Sequence, residues 1–215
     1  IVVRTVIMGR MRHIDGAEFI PWMIAGLFGF FLVRENMMRP IGAIEANKGL
    51  FAYRQVKPID PVLVRCYLEG LLKSFIFVLF IIAGTLLEVN LLPAEPLEAL
   101  FAWFSLWCLG LGAGLIFSAL AGLVPEVGKI LRIISMPLLI ISGVIFPLNF
   151  LPHDLLVYVM WNPIVHGLET LRAAFFLMYR TVQGASLVYL WYWALGMITI
   201  GLILHLRFEL RLKRQ

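Results

Sequence analysis

Apolar residues in this chain come in long blocks separated by short polar stretches. Residues 187–206 are apolar for about 20 positions, the length that crosses a hydrocarbon core of roughly 30 Å. Similar blocks occupy 19–33, 62–87, 99–123 and 130–148. They are rich in Leu, Ile, Phe and Gly and do not alternate with a period of two. The pattern predicts an all-α, polytopic membrane protein and not an outer-membrane β-barrel, with 1–215 as a single transmembrane domain. The opening Ile1-Val2-Val3-Arg4-Thr5-Val6-Ile7-Met8 reads as the end of a truncated first helix that begins upstream. It lacks the charged region and the small-residue cleavage site of a signal peptide.

The stretch 149–184 departs from this pattern. It is largely apolar yet is cut by Pro152 and by Asn162-Pro163, just after Pro147. Short helices are expected over 154–161 and 163–179, the second with Pro at a favoured helix start. Neither makes a full span. Two broken half-helices predict a re-entrant hairpin dipping in from the outer face; a pair lying in the interface is the alternative.

Composition agrees with a membrane protein. Hydrophobic residues make up 61% of the chain and charged residues 14%, where a soluble domain needs about a quarter charged. Cationic residues mark the cytoplasmic side. The 34–61 loop carries Arg34, Arg39, Lys48, Arg54 and Lys57. The next loop on that side is flanked by Lys129 and Arg132, and the tail carries Arg207, Arg211, Lys213 and Arg214. The opposite side carries Glu88, Glu95, Glu98 and Asp154, with Arg10, Arg12, Arg172 and Arg180 as exceptions. The net charge of +5 is therefore a topology signal, and no basic face for nucleic acid is visible. Cys66 and Cys108 lie inside predicted helices and read as apolar packers, with neither a disulfide nor a metal site implied.

Candidate chemistry is sparse. There is no GxxxxGK[ST] phosphate loop, so the chain is not expected to hydrolyse ATP. Gly110, Gly112 and Gly114 sit in an apolar helix with no strand before them and are no dinucleotide fingerprint. Gly110, Gly114, Ser118 and Gly122 share one helix face and let another helix approach closely. Arg65, Glu69 and Lys73 form a charged stripe at i,i+4 spacing on the 62–87 helix. It is either a helix end that snorkels or a face lining a polar passage or subunit interface. The Trp and Tyr residues at span ends, among them Trp22, Trp103, Trp107, Trp161 and Trp191, fit an interfacial belt; a minority could stack on a glycan. His166, Glu169 and Arg172 share a helix side. They read as a satisfied polar face, because no second carboxylate or metal cluster stands by for acid–base work. Finally, Ile44, Glu45, Asn47, Lys48, Phe51 and Tyr53 lie on a short amphipathic segment stopped near Gly49. It could rest on the membrane or dock a cytoplasmic partner. Two prolines, Pro58 and Pro61, stiffen its lead into the next helix.

The run Gly42-Ala43-Ile44-Glu45-Ala46-Asn47-Lys48-Gly49-Leu50-Phe51, then Tyr53-Arg54 and Val56-Lys57-Pro58-Ile59-Asp60, resembles the signature of capsular polysaccharide export permeases. These are the membrane subunits of type-2 ABC exporters in Gram-negative bacteria. Phe146-Pro147-Leu148 with Leu151-Pro152, and Trp161-Asn162-Pro163 with Val165-His166 and Glu169, agree with it. The resemblance covers nearly the whole chain and departs at the start, where the family has an interfacial helix and a complete first span. It implies six membrane helices per subunit with re-entrant helices before the last span, and a homodimer in the bacterial inner membrane. It also implies two copies of a separate ABC ATPase that hold ATP and Mg, no cofactor bound by this chain, and a coupling helix within 34–61. The cargo would be a lipid-linked acidic polysaccharide, handed to periplasmic and outer-membrane export components, with membrane lipid around the subunit. Arg65, Lys73, Trp161, His166, Glu169 and Arg172 are then candidates for the substrate path. An O-antigen or teichoic-acid exporter of the same architecture is the nearest alternative. A secondary transporter would be expected to show an internal repeat, and none is visible.

Overall fold

The computed structural model describes residues 16–53, 55–89 and 91–214. The expectations placed on residues 1–8 and on Arg10, Arg12 and Arg54 lie outside them. Helix α1 (Phe19–Met38) runs into a 3₁₀ turn (Arg39–Gly42), a single helical turn α2 (Ala43–Ala46) and a second 3₁₀ turn (Lys48–Ala52). Three longer helices follow: α3 (Ile59–Leu86), α4 (Pro96–Leu123) and α5 (Pro125–Ile141). A 3₁₀ turn (Leu148–Phe150) and the short helices α6 (His153–Val159) and α7 (Pro163–Phe175) fill the interrupted region. Helix α8 (Leu187–Arg207) and a terminal α9 (Glu209–Arg214) complete the described chain.

Helix α4 is the hub: α1, α3, α5, α7 and α8 all pack on it. Its small residues explain why. A Cβ at Gly114 would stand 2.3 Å from the Asn36 carbonyl oxygen, and one at Gly110 would stand 2.9 Å from the Asn36 Cβ. Helix α1 therefore lies directly on this glycine face, as the spacing predicts. Gly112 points elsewhere and lets α8 approach, with the Met197 Cβ 2.9 Å from the missing methyl position. Gly201 of α8 returns the contact against Leu115. Because α4 is largely enclosed while α3 and α8 leave most of their apolar side chains exposed, the core is a helix bundle turned outward toward lipid.

Among the described residues, α3, α4 and α8 are long and apolar enough to cross a membrane. Helices α1 and α5 occupy the blocks at 19–33 and 130–148. However, α1 ends in the polar run Arg34-Glu35-Asn36 and α5 has 17 residues. Helix α5 also starts earlier and stops sooner than the hydropathy block. Pro125 takes the first helical position after the extended Val124, a role for which its fixed φ is suited. At the other end Gly143 adopts φ +65°, a left-handed conformation that glycine reaches without a Cβ clash. That turn frees the Gly143 and Val144 carbonyls for Arg172.

The aromatic residues also depart from a simple interfacial belt. Trp103 donates to the Ser74 hydroxyl at 2.8 Å and Trp107 to the Cys66 carbonyl at 3.3 Å, so both clamp α3 to α4. Trp22 is fully buried. Tyr158, Trp161 and Tyr192 remain exposed and keep the belt reading.

Candidate functional site

The interrupted region is built around a buried ionic knot. Asn162 caps α7 by accepting the Ile164 N–H at 3.1 Å, and its amide donates to the Ser142 hydroxyl at 2.9 Å. This cap fixes the start of α7 against the end of α5. Glu169 and Arg172 then meet at 3.1 Å with both side chains fully enclosed. The Tyr179 hydroxyl lies 3.1 and 3.0 Å from the two Glu169 oxygens, and the Val182 N–H donates to Oε2 at 3.2 Å. Arg172 donates to the Gly143 and Val144 carbonyls, both at 3.0 Å, and its guanidinium lies 3.5 Å above the Trp22 ring centroid. Gly26 makes room for it, because a Cβ there would stand 2.2 Å from Nη2. One ion pair thus ties α1, the α5 exit, α7 and the loop before α8.

His166 is pinned as well. Its Nδ1 accepts the Ser186 N–H at 3.0 Å, which leaves Nε2 as the protonated nitrogen that donates to the Met160 carbonyl at 2.8 Å. Both nitrogens are used, so the ring has no free valence for acid–base chemistry. His166, Glu169 and Arg172 thus each meet internal partners on one side of α7. All three are buried and engaged in internal bonds, with Arg172 Nε the atom left without a partner. Trp161 is exposed, and its carbonyl accepts the Tyr189 hydroxyl at 3.0 Å.

A second charged cluster lies at the opposite end of α1. Arg34 and Arg39 each bind Glu35 at 2.8 Å, and Arg39 reaches Glu69 at 3.7 Å. Glu69 thus pairs across to the 3₁₀ turn after α1 and not along its own helix with Arg65 or Lys73. The hydrogen bond and charge of Glu35, and then the charge of Glu69, hold the Arg39 guanidinium above its ordinary value. Arg34, Glu35, Arg39, Arg65, Arg132 and Ser135 line a cavity of about 400 Å³. Lys73, two turns further along α3, does not line it. Arg34, Glu35 and Arg132 carried no candidate role in the sequence; only their convergence in space singles them out.

The 43–53 segment has two faces. Ala43 and Ile44 are buried in a cluster with Val62, Cys66, Leu111, Leu115 and Leu212, and Phe51 packs against its edge. Ile44 anchors the segment in the core, because its side chain faces α3, α4 and α9. Asn47 is half-buried and donates to the Ala43 carbonyl at 2.8 Å, closing the turn. Glu45, Lys48, Leu50 and Tyr53 face outward, with Lys48 3.8 Å from Glu45. Beside them runs a groove of about 460 Å³ lined by Ile44, Glu45, Lys48, Pro125, Lys129 and Leu212. Asp60 accepts the Lys57 N–H at 2.7 Å and joins this segment to the start of α3.

Long apolar helices on one hub, with most ions in internal pairs or near helix ends and Lys73 midway along α3, define a polytopic membrane protein. The model for ABC-2 type transporters matches residues 14–176, and the chain belongs to that family. It is 37% identical to the polysialic acid transport protein KpsM of Escherichia coli, over 93% of this chain and 78% of that protein. It is 29% identical to the capsule polysaccharide export inner-membrane protein CtrC of Neisseria meningitidis serogroup A, and 30% identical to BexB, of the same description, from Haemophilus influenzae. Each of these matches covers 78% of this chain and 63% of the relative. The chain is a multi-pass inner-membrane subunit of the ABC-2 permease class, which works with an ATPase subunit.

Proposed function

We propose that this chain is the membrane subunit of an ATP-driven exporter that moves lipid-linked capsular polysaccharide across the inner membrane. The observation that carries the reading is the two-faced 43–53 segment. Its inner side is locked into the core through Ile44, and its outer side presents Glu45, Lys48, Leu50 and Tyr53. A partner that moves the outer face must also move α3 and α4, because a packed interior transmits displacement. The cargoes named for the relatives, polysialic acid and capsule polysaccharide, support the substrate class.

In this reading the subunit is a homodimer served by two ATPase copies that hold ATP and Mg. Helices α1, α3, α4, α5 and α8 are spans that follow the first helix of the six-helix architecture. The 34–61 stretch is the cytoplasmic coupling loop, and 149–184 is a re-entrant pair held shut by the ionic knot. ATP binding closes the ATPase pair and pushes the coupling segment. The stiff lead through Pro58 passes the motion to α3, and a polar passage opens between the subunits. Arg65 draws the polyanion toward the entrance by its charge, and periplasmic and outer-membrane components receive the product.

The test is capsule export in cells that carry this chain and its ATPase as the sole exporter. Surface polysaccharide is expected with the native chain. It is expected to be lost, with glycan accumulating inside, for Glu45→Ala combined with Leu50→Ala and Tyr53→Ala. Normal export by that triple variant would contradict the coupling role. Export that persists with a hydrolysis-dead ATPase would contradict the ATP-driven reading altogether.

A further inference from the structure

We infer that the arginine-lined cavity between the ends of α1, α3 and α5 binds the phosphate-bearing head group of an anionic amphiphile. Four guanidiniums, from Arg34, Arg39, Arg65 and Arg132, converge there from four separate elements. Glu35 is the one carboxylate in the lining. It is already shared by Arg34 and Arg39, and Glu69 lies beyond at 3.7 Å from Arg39. Arg65 and Arg132 form no ion pair among the described residues. The cluster therefore keeps an excess of positive charge, four guanidiniums against two carboxylates.

Guanidinium forks match tetrahedral phosphate oxygens in geometry, and charge-assisted bonds of this kind are the strong ones. The cavity, at about 400 Å³, has the size of a small-molecule pocket. A simple topology signal would leave these side chains splayed into water. Here Glu35 holds two of them in place: the side chains of Arg34 and Glu35 are 22% and 12% exposed, while Arg39 and Arg132 stand at the exposed rim.

The outer faces of the helices that carry these arginines indicate an amphiphile over a free ion. Val64 and Leu68 on α3 flank Arg65, and Ile133 and Met136 on α5 flank Arg132 and Ser135; all four are exposed. A head group seated among the arginines would leave its acyl chains against these two apolar surfaces. The lipid anchor of the cargo and a resident anionic phospholipid share this chemistry. The first source rests on the exporter reading; the site itself does not.

The test is native mass spectrometry of the purified complex with its ATPase, without ATP or glycan, using phosphatidylglycerol and phosphatidylcholine as probes. Phosphatidylglycerol is expected to be retained in preference to phosphatidylcholine. The Arg65→Ala/Arg132→Ala variant is expected to lose about tenfold or more of that affinity, and Arg65→Lys/Arg132→Lys to retain part of it. Arg180→Ala, far from the cavity, is the control, and an unchanged melting temperature shows that the variants still fold. Equal retention by native and double-alanine proteins, or equal retention of the two lipids, would overturn the proposal. Displacement by inorganic phosphate at the concentration of the lipid would overturn its amphiphile part. In cells that build the lipid-linked glycan, the lipid that copurifies names the source: glycan anchor or phospholipid, each consistent with the site. Lost binding here leaves the exporter reading standing, and failed export leaves this binding standing.

Discussion

Two charged clusters sit at opposite ends of α1 and behave as opposites. Around Glu169 and Arg172 every carboxylate oxygen has a donor and the guanidinium is enclosed by two carbonyls and an indole, with Arg172 Nε alone left without a partner. Around Arg34, Arg39, Arg65 and Arg132 the cations outnumber the acids and line an open cavity. The same residue types thus fix a fold in one place and leave binding capacity in the other. Desolvation decides which: a buried charge must be paired with an opposite one, whereas a half-exposed one can wait for a ligand.

The comparison breaks most sharply at Arg172. Arg172→Met strands the Glu169 carboxylate in the interior and is expected to cost about 3–5 kcal/mol, read as a large fall in the melting temperature in detergent. Adding Glu169→Gln should recover much of that loss, because the uncompensated charge is then gone. Arg65→Met, at the open end, should stay within about 0.5 kcal/mol of the native protein. Equal losses at the two sites would erase the distinction.

Glycines draw the same contrast in packing. Gly114→Leu drives a side chain into the α1 backbone and is expected to cost about 1–3 kcal/mol. A Cβ at Gly49 meets nothing within 4 Å, so Gly49→Ala should leave unfolding unchanged. Tyr179→Phe removes the hydroxyl that bridges Glu169 and should cost about 1–3 kcal/mol, with the α1–α4 packing intact by cross-linking.

The smallest effect lies in α9. The Lys213 hydrogen bond, with minor help from the charges of Lys213 and Lys57, holds the Glu209 carboxyl below its ordinary value against a small opposing effect of burial. A depressed carboxylate contributes stability that is present above the unfolded pKa and is lost as pH falls through the folded one. Glu209→Gln should therefore abolish only a shallow acid-side slope in stability, of about 0.3 kcal/mol.

Much of this was legible in the chain itself. The blocks at 62–87, 99–123 and 187–206 match α3, α4 and α8 closely, because long apolar runs have one physical outcome in a bilayer. The small-residue spacing predicted a close helix contact at Gly110 and Gly114, and the structure supplies α1 as the partner. The rest depended on tertiary partners. Hydropathy carried the fourth block through Gly143, whose left-handed turn presents its carbonyl to Arg172, 29 residues on. Ile44 read as part of an outward face until α3, α4 and α9 enclosed it. Trp22 sat at a span end, where a belt residue and a cation's lid look alike. Tyr179 follows Glu169 at no helical spacing, so no periodicity marks it. The arginine cavity is spread over α1, α3 and α5, and its members share no local pattern.

The measurement that bears most directly on the central claim is purification of this chain with its ATPase, scored for complex stoichiometry and ATP turnover. The expected result is a stable assembly of two copies of each subunit. Glu45→Ala with Leu50→Ala and Tyr53→Ala should lose that assembly while keeping the melting temperature of the permease. A well-folded permease that never captures the ATPase, or a triple variant that binds and turns over ATP like the native complex, would contradict it.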